Sequence, residues 1–168
     1  ADARTVVALP TPQLIPLDTV VSATVGMVFT RGADVANVAE VDHTLRIVRL
    51  DVNLPGAPPA AAQAVTVGAN AATIEALPTD QVIPLDNVDG IAPGMSLTFG
   101  ADTRVVSYVS ASLSAVQLQT PLSAVPAVGS TASVAMKATS VTATPGTTQL
   151  ALDNRLGLAI LRRLDRLA

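Results

Sequence analysis

An internal repeat constrains this chain more than any other feature of its sequence. The segment ALPTPQLIPLD, which begins at Ala8, superimposes on ALPTDQVIPLD, which begins at Ala76, with only two differences at a shift of about 68 positions. The same shift aligns further glycine and apolar positions without a gap, such as Gly26 with Gly94. Such a pattern usually means that one supersecondary unit was duplicated. The sequence predicts β-repeat units over residues 1–68 and 69–137, which we call the first and second repeats.

A third start of the same unit follows the second repeat. In ATSVTATPGTTQLALDN, Ala143, Pro145 and residues 152–154 match their counterparts in the second repeat at a shift of about 67. The match then stops. Residues 138–168 are therefore predicted to hold a truncated third start that runs into a C-terminal helix.

The C-terminal helix is predicted over residues 155–168, where the sequence is amphipathic. Apolar residues form a stripe on one face of the helix, and arginines occupy the other face. We expect the stripe to cover the edge left by the truncated third repeat, or to dock onto a neighbouring subunit. The stripe is the candidate assembly contact, and it consists of Ile160, Leu161, Leu164 and Leu167.

Short strands separated by glycine and proline are predicted in each repeat. In the second repeat the expected strands cover 72–76, 81–85, 95–99, 104–109, 115–119 and the region from 131 to 136. Residues 100–102, Gly-Ala-Asp, read as a hairpin turn.

The first repeat contains a stretch that could be mistaken for a helix. Apolar residues recur at helical spacing over 34–48, but the aligned segment 105–116 alternates like a strand, so we predict strands there and over 50–54. The predicted class is all-β, with tandem small antiparallel β-barrels or sandwiches and a C-terminal amphipathic α-helix.

Composition argues against several classes of partner. Charged residues are 14% of the chain and the net charge is −3, so there is no broad basic face for nucleic acid. Aromatic residues are 2%, which leaves little surface for stacking on bases or sugars. No apolar stretch is long enough for a membrane span, and there is no cysteine. We expect neither nucleic acid nor membrane as a partner.

The sequence contains few candidate catalytic residues. His43 is the only histidine, and its aligned residue is Ala111, so an ordinary polar surface role is favoured over a general base or ligand. An enzyme would require a concave cluster of Asp34, Asp42, His43 and Asp51. We predict a non-enzyme with no catalytic residues, cofactor or metal.

Two aspartate patterns have alternative interpretations. Residues 86–90, Asp-Asn-Val-Asp-Gly, resemble the start of a calcium loop but lack its closing carboxylate, so a turn is favoured. Asp18, Asp86 and Asp153 recur at one position of the repeat. A carboxylate that accepts backbone N–H bonds in that turn explains the recurrence without a ligand.

The second repeat also resembles a known group of proteins. The run VIPLDNVDGIAPGMSLTFGADTRVVSYV, followed by AVQLQTPLSAVPAVGSTASV, is similar to β-rich modules of bacteriophage virion proteins and of contractile injection systems. The resemblance covers most of residues 5–136. It implies a structural component of the capsid decoration, tail, neck or baseplate. Its expected partners are other copies of itself, as a homo-oligomer, and other virion structural proteins.

A different class of function stays open at this stage. The chain could be a ligand- or glycan-binding β-module of a cell-surface or adhesin-like protein, with its turns carrying the ligand groups. The N-terminal residues lack a signal-peptide pattern, which fits assembly in the host cytoplasm and location in a virion, but equally fits a domain excised from a longer secreted protein.

Overall fold

The described part of the chain is built from β-strands. The computed structural model describes residues 2–135, 141–143 and 151–152, and all the regular elements in those residues are strands, which confirms the all-β class. The chain divides into two compact units, residues 1–135 and 136–168. The strands are β1 (Asp2–Thr5), β2 (Leu14–Pro16), β3 (Val28–Arg31), β4 (Asp34–Asp42), β5 (Ile47–Leu50), β6 (Ala64–Val67), β7 (Asn70–Thr73), β8 (Val82–Pro84), β9 (Ser96–Phe99), β10 (Asp102–Ser110), β11 (Ala115–Leu118), β12 (Thr131–Ala135), β13 (Val141–Ala143) and β14 (Ala151–Leu152).

Residues 2–135 form two six-stranded sheets in which all neighbouring strands are antiparallel. The first sheet has the order β2-β5-β4-β3-β6-β7, and the second has the order β8-β11-β10-β9-β12-β1. Counterpart strands, 67 or 68 residues apart in the sequence, occupy the same place in the two sheets. Even an irregularity recurs, because the register shifts between Val38 and Glu40 and again between Val106 and Tyr108. Such a bulge bends a strand, so both sheets are bent at the same point.

The hairpins follow from local sequence. Gly32 and Gly100 begin the two-residue turns that join β3 to β4 and β9 to β10, and their φ angles are 59° and 61°. Glycine adopts this left-handed conformation without the steric cost of a Cβ atom. The predicted hairpin at residues 100–102 is confirmed.

Each sheet takes its last strand from the other repeat. β1 belongs to the first repeat but pairs with β12 of the second, and β7 belongs to the second repeat but pairs with β6 of the first. Immediately after these strands, Val6 bridges Leu85 and Ile74 bridges Leu17. The bridges bring the two outer strands of each sheet together. Strand exchange therefore joins the two repeats within one compact unit.

The junction between the repeats centres on one pair of leucines. The N–H groups of Leu9 and Leu77 donate to each other's carbonyl oxygens, both at 3.0 Å. Leu9 and Leu77 are counterparts, so the contact is reciprocal, as in a symmetric dimer. A small apolar core surrounds them and consists of three counterpart pairs: Leu9 with Leu77, Leu45 with Leu113, and Ile47 with Ala115.

The remaining buried residues form one core inside each sheet. The first core includes Ile15, Phe29 and Leu50, all fully buried. The second includes Ile83 and Leu97, also fully buried. A unit of about 68 residues is close to the size at which a single core barely offsets the loss of chain entropy. The junction core therefore supplies burial that neither repeat would have alone.

Most predicted strands agree with the structure. Residues 34–48 form β4 and the start of β5, so the choice of strand over helix is confirmed. The strand predicted over 50–54 is wrong beyond Leu50. There the chain leaves the sheet, and the N–H of Leu54 donates to the carbonyl of Pro12 at 2.9 Å. The Leu54 side chain is nevertheless buried in the core of the first sheet, so the apolar alternation of this segment imitates a strand.

Several predictions for the C-terminal region lie outside the described residues. These are the helix over 155–168, the stripe of Ile160, Leu161, Leu164 and Leu167, the position of Asp153, and the boundary at 137/138. Within the third start, β13 pairs with β14, and Val141 lies opposite Leu152. The boundary predicted at 68/69 falls in the turn between β6 and β7.

Leu9→Ala and Leu77→Ala are expected to destabilise the protein by about 2–5 kcal/mol each, because each opens a cavity in the junction core. A double variant should lose less than the sum, since the two side chains share one contact. Val21→Ala is the control, because Val21 is 82% exposed and its truncation should cost less than about 0.5 kcal/mol. Urea unfolding measures all four; fully additive losses would contradict the shared contact.

A polar contact also crosses the junction, and it depends on pH. The hydroxyl of Tyr108 donates to Asp42 Oδ2 at 3.0 Å. Burial raises the pKa of Tyr108 above its ordinary value of 10.0, and the hydrogen bond to Asp42 and the negative charges of Asp42 and Glu40 raise that pKa further. The folded protein therefore keeps a phenolic proton at pH values where the unfolded chain has lost it. Stability is expected to fall as pH rises from about 10 towards the folded pKa.

Tyr108→Phe should remove this alkaline component of the fall in stability, because phenylalanine has no proton to lose. Urea unfolding of both proteins across about pH 8–11 measures it. Tyr108 is the only tyrosine and tryptophan is absent, so the ultraviolet absorbance of the folded protein reports its titration directly. An unchanged alkaline slope in the variant would show that Tyr108 is not responsible.

Candidate interaction surface

The four residues that an enzyme site would require do not come together. Asp34 and Asp42 stand at opposite ends of the nine-residue strand β4, roughly 25 Å apart at 3.3 Å per residue. Asp51 binds Asn37, whose backbone and side-chain N–H groups donate to its two carboxylate oxygens, each at 2.9 Å. His43 is exposed in the turn after β4. Of the four, only Asp42 and His43 are neighbours.

Asp42 has a structural role in that turn. It is 7% exposed, and its Oδ1 accepts hydrogen bonds from the N–H groups of Thr44 and Leu45, both at 2.9 Å. Its Oδ2 accepts the bond from Tyr108 described above. Both carboxylate oxygens are thus engaged by donors that shape the turn and the junction.

The recurring aspartates Asp18 and Asp86 accept backbone N–H bonds, but from the exchanged strands rather than from their own turn. Asp18 Oδ1 accepts from the N–H of Thr73 at 2.8 Å, and Asp86 Oδ1 accepts from the N–H of Thr5 at 2.9 Å. In return, the N–H of each aspartate donates to the same threonine's carbonyl at 2.9 Å. This aspartate therefore secures the end of each exchanged strand.

The hydrogen bond from the backbone N–H of Thr5 is the largest of the effects that lower the pKa of Asp86 below 3.8. Asp86 thus contributes stability at neutral pH, and that contribution is lost as pH falls below 3.8 through the folded pKa.

Residues 86–90, where the sequence favoured a turn over a calcium loop, bind groups of the protein itself. The N–H of Asp89 donates to Asn87 Oδ1 at 2.6 Å, and the guanidinium of Arg4 donates to the Asp89 carbonyl at 2.8 Å. Over the described residues, no group of three or more candidate metal-ligating side chains occurs.

Two long stretches of the chain lack charged residues and supply the candidate interaction surface. Residues 52–74 and 105–136 contain no aspartate, glutamate, lysine or arginine. Each stretch includes one long exposed loop, namely residues 52–63 before β6, which we call loop A, and residues 119–130 before β12, which we call loop B. The loops are counterparts in the two repeats. Charged residues are depleted at the centres of protein interfaces, so uncharged exposed loops are typical of contact surfaces.

Valines are exposed on both loops and on the neighbouring sheet. Val52 of loop A is 53% exposed, and Val125 and Val128 of loop B are 58% and 57% exposed. On the outer face of the first sheet, Val28 and Val35 lie on the paired strands β3 and β4 and are also exposed. Single exposed valines are common, and exposed valines also occur elsewhere, at Val21 and Val25, but those of loops A and B lie on segments without charge, which favours a binding surface there.

Loop A is fixed by a buried arginine. Arg31 is 8% exposed, and its Nε and Nη2 donate to Asp34 Oδ2 at 3.0 and 2.6 Å. The same guanidinium donates to the carbonyl oxygens of Pro55 and Ala57, at 3.3 and 3.2 Å. A buried cation paired with a carboxylate and two carbonyls holds the loop in one conformation, which lowers the entropy cost of binding through it.

Loop B is fixed by different chemistry. Phe99 occupies the counterpart position of Arg31, and Asp102 that of Asp34. Asp102 Oδ2 accepts from the N–H and the hydroxyl of Ser123, at 2.7 and 2.9 Å, and Arg104 Nε donates to the Pro121 carbonyl at 2.8 Å. The hydrogen bonds from Ser123 lower the pKa of Asp102. Ser123 replaces a proline that has no N–H, which explains why the two loops need different anchors.

Each of the two loops covers a cleft. The cleft under loop A has a volume of about 420 Å³ and is lined by Arg31 and Asp34, among others. The cleft under loop B has a volume of about 250 Å³ and is lined by Phe99, Leu122, Val125 and Pro126, among others. Drug-sized ligands usually occupy about 300–1,000 Å³. The cleft under loop B therefore fits one apolar side chain better than a cofactor. Sequence reasoning missed both loops, although the absence of charge over 52–74 and 105–136 was visible in the sequence.

Comparison with known proteins finds no match: no protein-family model, no curated protein and no solved structure corresponds to this chain. Among the described residues there is no helix with the length and apolar character needed to cross a lipid bilayer. The proposals below therefore depend on the residues and geometry of this chain.

Arg31→Met is expected to destabilise the protein by about 1–3 kcal/mol and to loosen loop A, because Asp34 and the loop carbonyls lose their charged donor while the aliphatic stem is kept. The control is Arg46→Met, since Arg46 is 50% exposed and its ion pair with Glu75 should contribute less than about 1 kcal/mol. Urea unfolding and hydrogen exchange of loop A amides measure both effects. Equal losses in the two variants would contradict the role given to Arg31.

Proposed function

We propose that this chain is a non-catalytic structural protein that acts by assembling with other molecules of itself and with other structural proteins of a bacteriophage virion. It would decorate the capsid or form part of the tail, neck or baseplate. The observation that carries the assembly role is the pair of fixed, uncharged loops A and B. The proposed location in a virion is supported by the sequence resemblance of the second repeat to virion β-modules.

The architecture suits permanent contacts. Each sheet is inferred to be a small closed barrel, because its outer strands meet at the Leu17–Ile74 and Val6–Leu85 bridges. A closed barrel leaves no long free edge for uncontrolled strand addition. Contacts are then left to side chains and loops, which allows specific partners. Long-lived interfaces are more apolar than transient ones, which agrees with the exposed valines and scarce charge of the loops.

Introducing a charge into loop B is expected to weaken assembly. Val125→Asp combined with Val128→Asp would bury two unpaired carboxylates in a contact through this loop, so the association constant should fall by at least about tenfold. The matched control carries Val125→Thr and Val128→Thr, which keep the shape of the side chains without adding charge. Light scattering coupled to size exclusion measures the mass of each protein over a range of concentrations.

Assembly that is identical in the aspartate and threonine variants would exclude loop B as a contact. An unmodified protein that stays monomeric at every concentration, alone and with candidate virion partners, would contradict the assembly function itself.

A second candidate function is supported by the cleft under loop B. Phe99 is partly exposed there, and the cleft also contains Asp102 and Ser123, which gives one ring and a few polar groups of the kind that sugars require. A ligand- or glycan-binding module would show saturable binding on a glycan array, and Phe99→Ala would abolish it. The absence of binding would leave assembly as the remaining proposal.

A further inference from the structure

β1 and β7 complete the two sheets in the same way but are attached to them differently. β7 pairs with β6, and only the two residues Gly68 and Ala69 separate these strands, so that pairing is a hairpin within one chain. β1 pairs with β12, and Thr5 lies opposite Thr131, far along the sequence. The β6–β7 pairing is fixed by covalent connection, whereas the β1–β12 pairing is not.

Residues 2–9 bind the second repeat, and we call them the arm. In the described structure all backbone hydrogen bonds from the arm to other segments go to the second repeat: those of β1 to β12, that of Thr5 to Asp86, those of Val6 to Gly129 and Ser130, that of Val7 to Pro84, and those of Leu9 to Leu77. Val6 is 1% exposed and lies in the core of the second sheet. The arm is thus a part of the second sheet supplied by another segment.

We propose that the arm exchanges between molecules, so that β1 of one molecule pairs with β12 of a second molecule. The partner is a second copy of this chain, because the groove that accepts the arm is matched to its register and side chains. This inference rests on the proposed assembly function and names the contact between copies.

The exchange has a low free-energy cost because every bond of the arm is the same whether it is made within or between molecules. The bonds include the ring formed by Thr5 and Asp86, in which each residue's backbone N–H donates to the other. Exchange of this kind is a low-cost route to oligomers, and reciprocal exchange gives a closed dimer while one-way exchange gives an open chain.

The segment that follows the arm has the composition of an extended hinge. Residues 10–13, Pro-Thr-Pro-Gln, separate the arm from β2. In the described structure these residues form a turn, because the N–H of Thr11 donates to the carbonyl of Leu14 at 3.0 Å, so an open hinge must break this bond. A residue before proline is biased towards extended backbone, which favours the open form at Thr11. Once open, four extended residues span roughly 13 Å, which allows the arm to reach a molecule in contact with its own.

The chain contains no cysteine, so a single introduced thiol reports one position. Molecules carrying Ala3→Cys are unfolded in urea and refolded together with molecules of different mass carrying Ser133→Cys, because residues 3 and 133 lie directly opposite in the β1–β12 pair. Opposite residues in antiparallel strands are close enough for a disulfide. The matched control mixes Ala71→Cys with Thr66→Cys, the opposite residues of the β6–β7 hairpin.

On oxidation, the yield of the heterodimer linked through residues 3 and 133 is expected to be several-fold higher than the yield of the heterodimer linked through residues 66 and 71. A single molecule with both Ala3→Cys and Ser133→Cys, oxidised at high dilution, should form fewer oligomers than the unmodified protein, because the locked arm leaves only contacts through loops A and B. The 66/71 double variant should oligomerise as the unmodified protein does.

Other outcomes separate this inference from the proposed function. If light scattering finds oligomers but the 3–133 heterodimer is no stronger than the control, arm exchange is overturned and assembly through loops A and B stands. If the oxidised 3/133 double variant oligomerises normally, arm exchange is also overturned. A protein that is monomeric under all conditions overturns both.

Discussion

The reciprocal hydrogen bonds between Leu9 and Leu77 are the contact on which the rest of residues 2–135 depends. They lie at the point where the two repeats exchange strands, and the junction core of Leu45, Ile47 and Leu113 packs around them. Each sheet receives its last strand from beyond this point. Losing the junction would therefore open both sheets, each of which is too small to compensate with its own core.

Charge in this protein is used mainly to fix backbone rather than to attract partners. Arg31 fixes loop A, Asp102 fixes loop B, and Asp18 and Asp86 secure the exchanged strands. Each of these groups is bound to backbone donors or acceptors that would otherwise need water. The loops that they fix are uncharged and carry exposed valines. The result is a scaffold whose exposed loops are uncharged and held by hydrogen bonds, which is the observation behind the proposed assembly role.

Much of the fold could be predicted because the repeat allows each segment to be compared with its counterpart. Residues 34–48 have helical spacing, but the clear strand pattern of 105–116 settled the choice correctly. The repeat could not reveal strand exchange, since β1 and β7 occupy the same position in the two repeats, and that position does not show which sheet each strand joins. Alternation also misled over 51–54, where Leu54 reaches the core of the first sheet from a loop rather than from a strand.

The candidate surface was harder to predict from sequence. The uncharged stretches are visible in the sequence, but nothing there shows that loops A and B are exposed and fixed. That depends on Arg31 pointing inward beside Asp34, whereas charged residues usually lie at the surface. The sequence likewise shows Phe99 at the counterpart position of Arg31, but only the structure shows that both side chains lie beneath counterpart loops.

Native-state hydrogen exchange at the junction tests the central claim most directly. If the junction holds both sheets, the amides of Leu9 and Leu77 should exchange only by global unfolding, with the same free energy as the core amides of β5 and β11. The two sheets would then open together. A junction that exchanges at much lower free energy while β5 and β11 stay protected, or two sheets that open at clearly different free energies, would contradict the account.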